Sequence, residues 1–218
     1  MAVLALAKLM CVSGEFCESH LQLLFTILEK SDDAAIRSNT IIGLGDMTVS
    51  FNTLIDQNIS YLYNRLQDSD MNVKKNTLMV LTHLILNGMV KVKGQISEMA
   101  KCLEDEDQRI SDLAKLFFTE LSTKDNAVYN NLPDIISNLS SPKNGVSEDS
   151  FRSIMKFLLD FIKKVKSCSF AQFLFKKLFL GETVREYRRK TLPAFPKCRI
   201  RTTVERYCIL LVAFVVWF

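Results

Sequence analysis

A repeat of about 37 residues constrains this chain more than any other feature. Three segments align without gaps: 33–46 (DAAIRSNTIIGLGD), 70–83 (DMNVKKNTLMVLTH) and 107–120 (DQRISDLAKLFFTE). Ile36, Val73 and Ile110 stand 37 apart, as do Leu44, Leu81 and Phe118. Met47, Leu84 and Leu121 form a third series, which Met10 extends one step back. Leu28, Leu66, Leu103 and Leu139 end the preceding apolar stretches at spacings of 38, 37 and 36. Each is followed by acidic or turn-forming residues: SDD, QDSD, EDED and SSPKNG.

Within a unit the apolar positions follow helical spacing. Leu21, Leu24, Phe25 and Leu28 fall at i, i+3, i+4 and i+7, and Ile36, Thr40, Ile41 and Leu44 at i, i+4, i+5 and i+8. The acidic clusters stand just before the second stretch, where an Asp accepts hydrogen bonds from free N–H groups and meets the positive end of a helix. Each unit therefore reads as helix, short acidic turn, helix. One such hairpin cannot bury its apolar face alone, whereas stacked hairpins can. The predicted fold is all-α, an α-solenoid of the HEAT or armadillo kind. A half-unit covers 1–14 and hairpins cover 15–50, 51–88, 89–125 and 126–166. The alternative is a compact helical bundle with accidental periodicity, against which the three gapless register matches weigh. Seven glycines and four prolines among 218 residues also suit long helices better than turn-rich sheet.

The register stops near residue 166, and so does the charge balance. Residues 1–166 carry 18 Lys+Arg against 21 Asp+Glu, a net −3, and residues 167–218 carry 10 against 3, a net +7. The overall +4 is thus a slightly acidic array joined to a strongly basic tail. Six cysteines, at 11, 17, 102, 168, 198 and 208, show no regular spacing. With no basic and apolar leader at the start, they are expected as free thiols in a reducing compartment. No run of about 20 apolar residues predicts a conventional membrane span; Cys208 to Phe218 is apolar but short. The composition excludes a disordered tail, a collagen-like chain and a small disulfide scaffold.

Several residues merit weighing as sites. Cys11, Cys17 and His20 lack the fourth ligand of a zinc site, so they are expected as core and turn residues, with no metal. His83 has no readable nucleophile or acid partner and is expected to be structural. Gly43-Leu44-Gly45 lacks the further glycine and lysine of a phosphate-binding loop, so no nucleotide or other cofactor is expected. Arg37, Lys74 and Lys75 follow the acidic turns. An Asp with a base six residues later, as in Asp68 and Lys74, can bond between neighbouring repeats. Ser31 and Arg37 keep the base without the acid, and Asp105 and Ser111 the acid without the base. The expected ladder is partial, with partner binding as the rival role of these residues. Lys91 and Lys93, between Gly88 and Gly94, make a small basic loop that could meet phosphate without base specificity. Arg185, Arg188, Arg189 and Lys190, followed by Lys197, Arg199 and Arg201, form the densest basic stretch and suit nuclear targeting, nucleic acid or an anionic membrane. Phe170, Phe173, Leu174, Leu178 and Phe179 could form a helix face that caps the array.

Longer strings carry a resemblance. LALAKLMCVSGEFCESHLQLLFTILEKS (4–31), IRSNTIIGLGDM (36–47), THLILNGMVKVKGQISEMAKCLED (82–105) and AKLFFTELSTKDNAVYNNLPDIISNLS (114–140) resemble the condensin complex subunit 1 family, the large non-SMC HEAT-repeat subunits of condensin. The likeness is to the C-terminal HEAT region and covers about residues 1–160. It implies a non-enzymatic scaffold that binds the kleisin and SMC subunits, has no small-molecule substrate or cofactor, and helps hold DNA. It further implies action in mitotic chromosome condensation, in the nucleus and on mitotic chromosomes, with cytoplasm between divisions. Two departures stand out. The HEAT turn proline is replaced by Ala34, Met71 and Gln108, with Pro142 alone reminiscent of it, and the likeness fades near Lys163 to Lys166. The expected organisation is therefore a HEAT array over 1–166, its first hairpin truncated, and a basic, apolar-ended tail over 167–218. The rival readings are another α-solenoid adaptor, for transport or as a phosphatase scaffold, and a protein held at a membrane by its tail.

Overall fold

A computed structural model describes residues 2–90, 95–124, 127–141 and 145–161. Among the described residues there are helices and short 3-10 turns, and no strand. The chain divides into two compact units, Met1–Ala127 and Val128–Phe218.

The first unit contains α1 (Ala2–Met10), α2 (Gly14–Lys30), α3 (Ala34–Ser50), α4 (Asn52–Asp56), α5 (Ser60–Asn64), α6 (Met71–Leu86), α7 (Ile96–Lys101) and α8 (Gln108–Ser122), with 3-10 turns at Arg65–Gln67 and Cys102–Glu104. The predicted caps fix where the second helices begin. Asp33 accepts from the Ala35 N–H at 2.8 Å. Asp70 accepts from Asn72 and Val73 at 2.8 and 3.1 Å, and Asp107 from Arg109 and Ile110 at 2.7 and 3.2 Å. Each cap satisfies donors that no helical carbonyl can reach and contributes about 1 kcal/mol. The end of α6 is equally explicit. Gly88 takes φ +69°, the Met89 N–H donates to Leu84 O, and the Gly88 N–H donates to Ile85 O. That pair of bonds closes the helix and turns the chain, and a side chain at Gly88 would be strained.

The second helices α1, α3, α6 and α8 pack side by side in chain order. Behind them lie α2, then α4 and α5 with their 3-10 turn, then α7 with its own. The core sits between the two layers, and the repeat predicts its members. Leu44, Leu81 and Phe118 are each fully buried, as are Met10, Met47 and Leu84. Ile36 is the exception: it is only half-buried where Val73 and Ile110 are buried. Gly43 and Gly45 let the second layer close. A Cβ on Gly43 would meet the Ala7 Cβ of α1 at 2.5 Å, and one on Gly45 would meet Val80 Cγ1 of α6 at 2.8 Å.

Two of the first helices depart from the expectation of one continuous helix per half-unit, whereas α2 runs unbroken over Gly14–Lys30. Residues 51–67 form α4, α5 and a 3-10 turn, broken around Gln57–Ile59, and α7 has six residues. Apart from Gln57, the run Ile55-Asp56-Gln57-Asn58-Ile59 holds β-branched and short polar residues of lower helix propensity, which lose little by leaving the helix. Ile55 and Ile59 stay buried all the same, so the layer keeps its apolar contacts without keeping its helix.

In the second unit, α9 (Ala127–Leu139) opens at the boundary and α10 (Glu148–Asp160) follows. Val128, Leu132, Ile135 and Leu139 are buried from α9, and Ile154, Met155 and Leu158 from α10. Ser147 caps α10 through the Ser150 N–H at 3.2 Å.

Candidate functional site

The charged groups of the first unit meet at its turns. Arg37 projects from the first turn of α3 and reaches Asp68, which ends the 3-10 turn before α6. The pairing is bidentate, Nε to Oδ2 at 2.9 Å and Nη2 to Oδ1 at 2.8 Å. The remaining Arg37 nitrogen donates to the carbonyls of Ser31 and Asp32 at 2.9 and 3.0 Å. Asp68 Oδ1 also accepts the Asp70 N–H at 3.0 Å, so one carboxylate ties α3 to the start of α6. Lys74 repeats the arrangement one unit on. Its Nζ donates to Asp105 Oδ2 at 3.0 Å, and Asp105 Oδ1 accepts the Asp107 N–H at 3.0 Å. Ser111, in the position of Arg37 and Lys74, donates its hydroxyl to Leu103 O at 2.7 Å instead.

The two rungs differ in burial. The side chains of Arg37 and Asp68 are 10% and 3% exposed, and those of Lys74 and Asp105 are 27% and 14%. Burial alone would raise the Asp68 carboxyl. The hydrogen bonds from Arg37 and the Asp70 N–H, with the Arg37 and Arg65 charges, outweigh it and hold the group below its usual 3.8. Arg37 is correspondingly raised by its bond to Asp68.

The rungs therefore link each base to an acid 31 residues later, in the next unit. Six residues before Arg37 stands Ser31, so the in-sequence spacing of acid and base offers Arg37 no carboxylate. Stacking by one 37-residue step brings the acid of the following turn to the base of the preceding one, and Arg37 does form a rung. Arg65 is a participant that the sequence reading misses. Its Nη1 lies 3.5 Å from Asp68 Oδ2, and the only advance signal was its place three residues before that acid. With Glu29, Ser31, Arg37, Asn64 and Gln67 it lines a shallow polar cleft of about 260 Å³.

The other candidates separate. Lys75 is exposed on α6. Cys17 is buried against Met47, Sγ to Sδ at 3.7 Å, and Cys11 is half-buried. Burial pushes both thiols up. His20 Nδ1 lies 2.8 Å from the Ser19 hydroxyl, and its ring packs on Phe16 at 4.2 Å between centroids. Among the described residues no three His, Cys, Asp or Glu side chains are grouped to hold a metal. His83 is exposed and meets the Asn87 amide at 3.1 Å. Gly43 and Gly45 serve helix packing. No described helix is long and apolar enough to cross a membrane. Lys91, Lys93, Arg185, Arg188, Arg189, Lys190 and the tail face from Phe170 to Phe179 lie outside the described residues.

Hairpins related by one register step, capped alike and tied from turn to turn by ion pairs, define a helical-repeat protein of the HEAT class. Comparison with known families narrows the class. The family model of non-SMC mitotic condensation complex subunit 1 matches residues 35–186, and the chain belongs to that family. The match continues past 166, where the sequence reading ends the likeness. Condensin complex subunit 1 of Saccharomyces cerevisiae is 57% identical over 163 residues, 75% of this chain and 14% of that protein. The Xenopus laevis protein of the same name is 53% identical over 188 residues, 86% of this chain and 14% of its own length. The Homo sapiens protein is 49% identical over 188 residues, 86% and 13% of the two chains. The chain therefore spans about one-seventh of the length of the curated relatives it matches.

Proposed function

We propose that this chain is a non-enzymatic scaffold segment of a condensin complex and acts in mitotic chromosome condensation. The kleisin and SMC subunits are its partners, and it works in the nucleus and on mitotic chromosomes, with cytoplasm between divisions. The family match over 35–186 carries this reading. The site supports a scaffold: the strongest charges of the first unit are directed at one another across repeats, which stiffens a surface. Arg37, Asp68 and Lys74 then act structurally, and the exposed Lys75 is the member of that set that faces partners. Lys91 and Lys93, with Arg185, Arg188, Arg189 and Lys190, supply phosphate contact when DNA is held by the complex.

The test is affinity purification of the tagged full chain from dividing cells, with the recovered proteins identified by mass spectrometry. Kleisin and SMC chains are expected. Recovery of transport cargo or phosphatase subunits in their place would overturn the reading. Substituting the six basic residues by glutamine should weaken DNA retention by the recovered complex and lower its salt dependence.

A further inference from the structure

The joint between α3 and α6 and the joint between α6 and α8 share one register and differ in how they are held. Asp68 and Asp105 are presented alike, each with Oδ1 fixed by the N–H two residues on. The bases differ. Arg37 meets its acid with two bonds, and Lys74 meets its acid with one. Arg65 also braces Asp68 at 3.5 Å, whereas Cys102 stands in that place before Asp105. Further along the helices, the Asn76 amide of α6 donates to the Ser38 hydroxyl of α3. One step on, Leu113 replaces Asn76, and leucine has no polar group to repeat the bond.

The backbones differ too. Val80 of α6 sits over the bare Cα of Gly45, where a Cβ would meet it at 2.8 Å. One step on, Thr82 takes the place of Gly45 and Phe117 that of Val80, so larger side chains separate α6 from α8. Accordingly the Cα traces of α3 and α6 run close together far more extensively than those of α6 and α8. Behind the first joint the rings of Phe25 and Tyr61 stack at 5.0 Å. At the second, the Gln67 amide donates to Glu98 and Lys124 donates to the Leu86 carbonyl, but both bonds are exposed, where water competes for the same groups.

We propose that the joint between α6 and α8 is a hinge, with α3 and α6 forming one block against which α8 tilts. A bidentate pair whose side chains are 10% and 3% exposed is fixed in direction. A single ammonium–carboxylate contact, 27% and 14% exposed, lets the flexible lysine follow the acid as it moves. Packed helices adjust to one another by small slides, and Val80 seated on Gly45 blocks that slide between α3 and α6. The hinge goes beyond the scaffold reading and does not rest on it. It places the change of curvature among these three helices at one joint.

The test is a set of amide residual dipolar couplings, measured on the isotopically labelled full chain in a dilute alignment medium. They report the direction of each helix and the averaging of that direction. The couplings of α3 and α6 are expected to fit one alignment at full amplitude, with those of α8 uniformly smaller along its length. Lys74→Arg supplies a second bond to Asp105 and should recover amplitude in α8 while leaving α3 and α6 unchanged. Lys74→Ala should lower the α8 amplitude further. Arg37→Lys, the reverse exchange at the first rung, should open a smaller discrepancy between α3 and α6. Backbone chemical shifts confirm that each variant keeps its helices. Full-amplitude agreement of α8 with the shared alignment in the unsubstituted chain, or α8 couplings unmoved by both Lys74→Arg and Lys74→Ala, would overturn the proposal.

Discussion

Replacing Asp68 by alanine removes the carboxylate that accepts two bonds from Arg37 and one from the Asp70 N–H. At 2.8 Å the gross attraction of the pair is about 6 kcal/mol for an effective dielectric near 20, and about 1.5 kcal/mol in bulk water. Desolvation of both ions offsets most of it, so the intact pair contributes far less than the gross figure. The single substitution is costly for another reason. It leaves the Arg37 charge buried with no carboxylate bonded to it, only the Ser31 and Asp32 carbonyls as acceptors and the charges of Asp70 and Asp32 nearby. Removing one partner of a buried pair costs about 3–5 kcal/mol, and the surviving carbonyl bonds place Asp68→Ala near the lower end. For a chain of this size that lowers Tm by roughly 6–12 °C. Arg37→Ala/Asp68→Ala should cost clearly less than the sum of its singles, with a coupling of about 2 kcal/mol. The more exposed Lys74–Asp105 rung should show about 1 kcal/mol or less. Thermal and urea melts of the full chain, followed by circular dichroism, measure all of these. The pH dependence has a definite sign. A depressed carboxyl adds stability above its unfolded pKa, near 3.9, and loses that contribution as pH falls through the folded value. The gap between wild type and Asp68→Asn should therefore be full at about pH 6 and shrink steadily below about pH 4. If Asp68→Ala costs no more than Lys74→Ala, the burial argument for the first rung is wrong.

Three further outcomes follow from packing. Gly43→Ala should destabilise by about 1–3 kcal/mol in urea melts, although alanine is the better helix former, because its Cβ meets the Ala7 Cβ at 2.5 Å and neither atom can rotate away. Tyr63→Phe should leave stability unchanged or raise it by up to about 1 kcal/mol, since the Tyr63 hydroxyl is buried without a hydrogen-bond partner among the described residues. In a native maleimide-labelling experiment read by mass spectrometry, Cys17 and Cys102 should react far more slowly than in urea. Both are buried, and burial pushes the Cys102 thiol up to about 12.

What the sequence disclosed, and what it hid, follows from the range of each interaction. The caps Asp33, Asp70 and Asp107 act within three residues of themselves, so periodicity and local chemistry were enough to find them. Leu44, Leu81 and Phe118 were readable as core because burial follows register in a stacked array. Bonds between repeats were expected, but the Arg37–Asp68 rung was hidden because Ser31 stands where the acid six residues before Arg37 was sought. Its 31-residue separation appears only once the repeat is applied as a translation in space; within its own unit Asp33 is taken up as the cap of α3. The pair Gly43 and Gly45 reads in sequence only as an incomplete loop motif. Its use is the approach of α1 and α6 to α3, a distance that no local pattern carries. The break in the helix near Gln57–Ile59 escaped because Ile55 and Ile59 keep the burial that helical spacing predicts.

The central claim is that one 37-residue step, repeated, stacks α3, α6 and α8 into a single layer closed by turn-to-turn rungs. Residue-resolved amide hydrogen exchange on the full chain tests it most directly. The slowest amides are expected in the middles of these helices, recurring at 37-residue intervals around Leu44, Leu81 and Phe118, with α4 and α5 exchanging much sooner. Protection without that period, or protection as strong in 52–64 as in α6, would contradict the account.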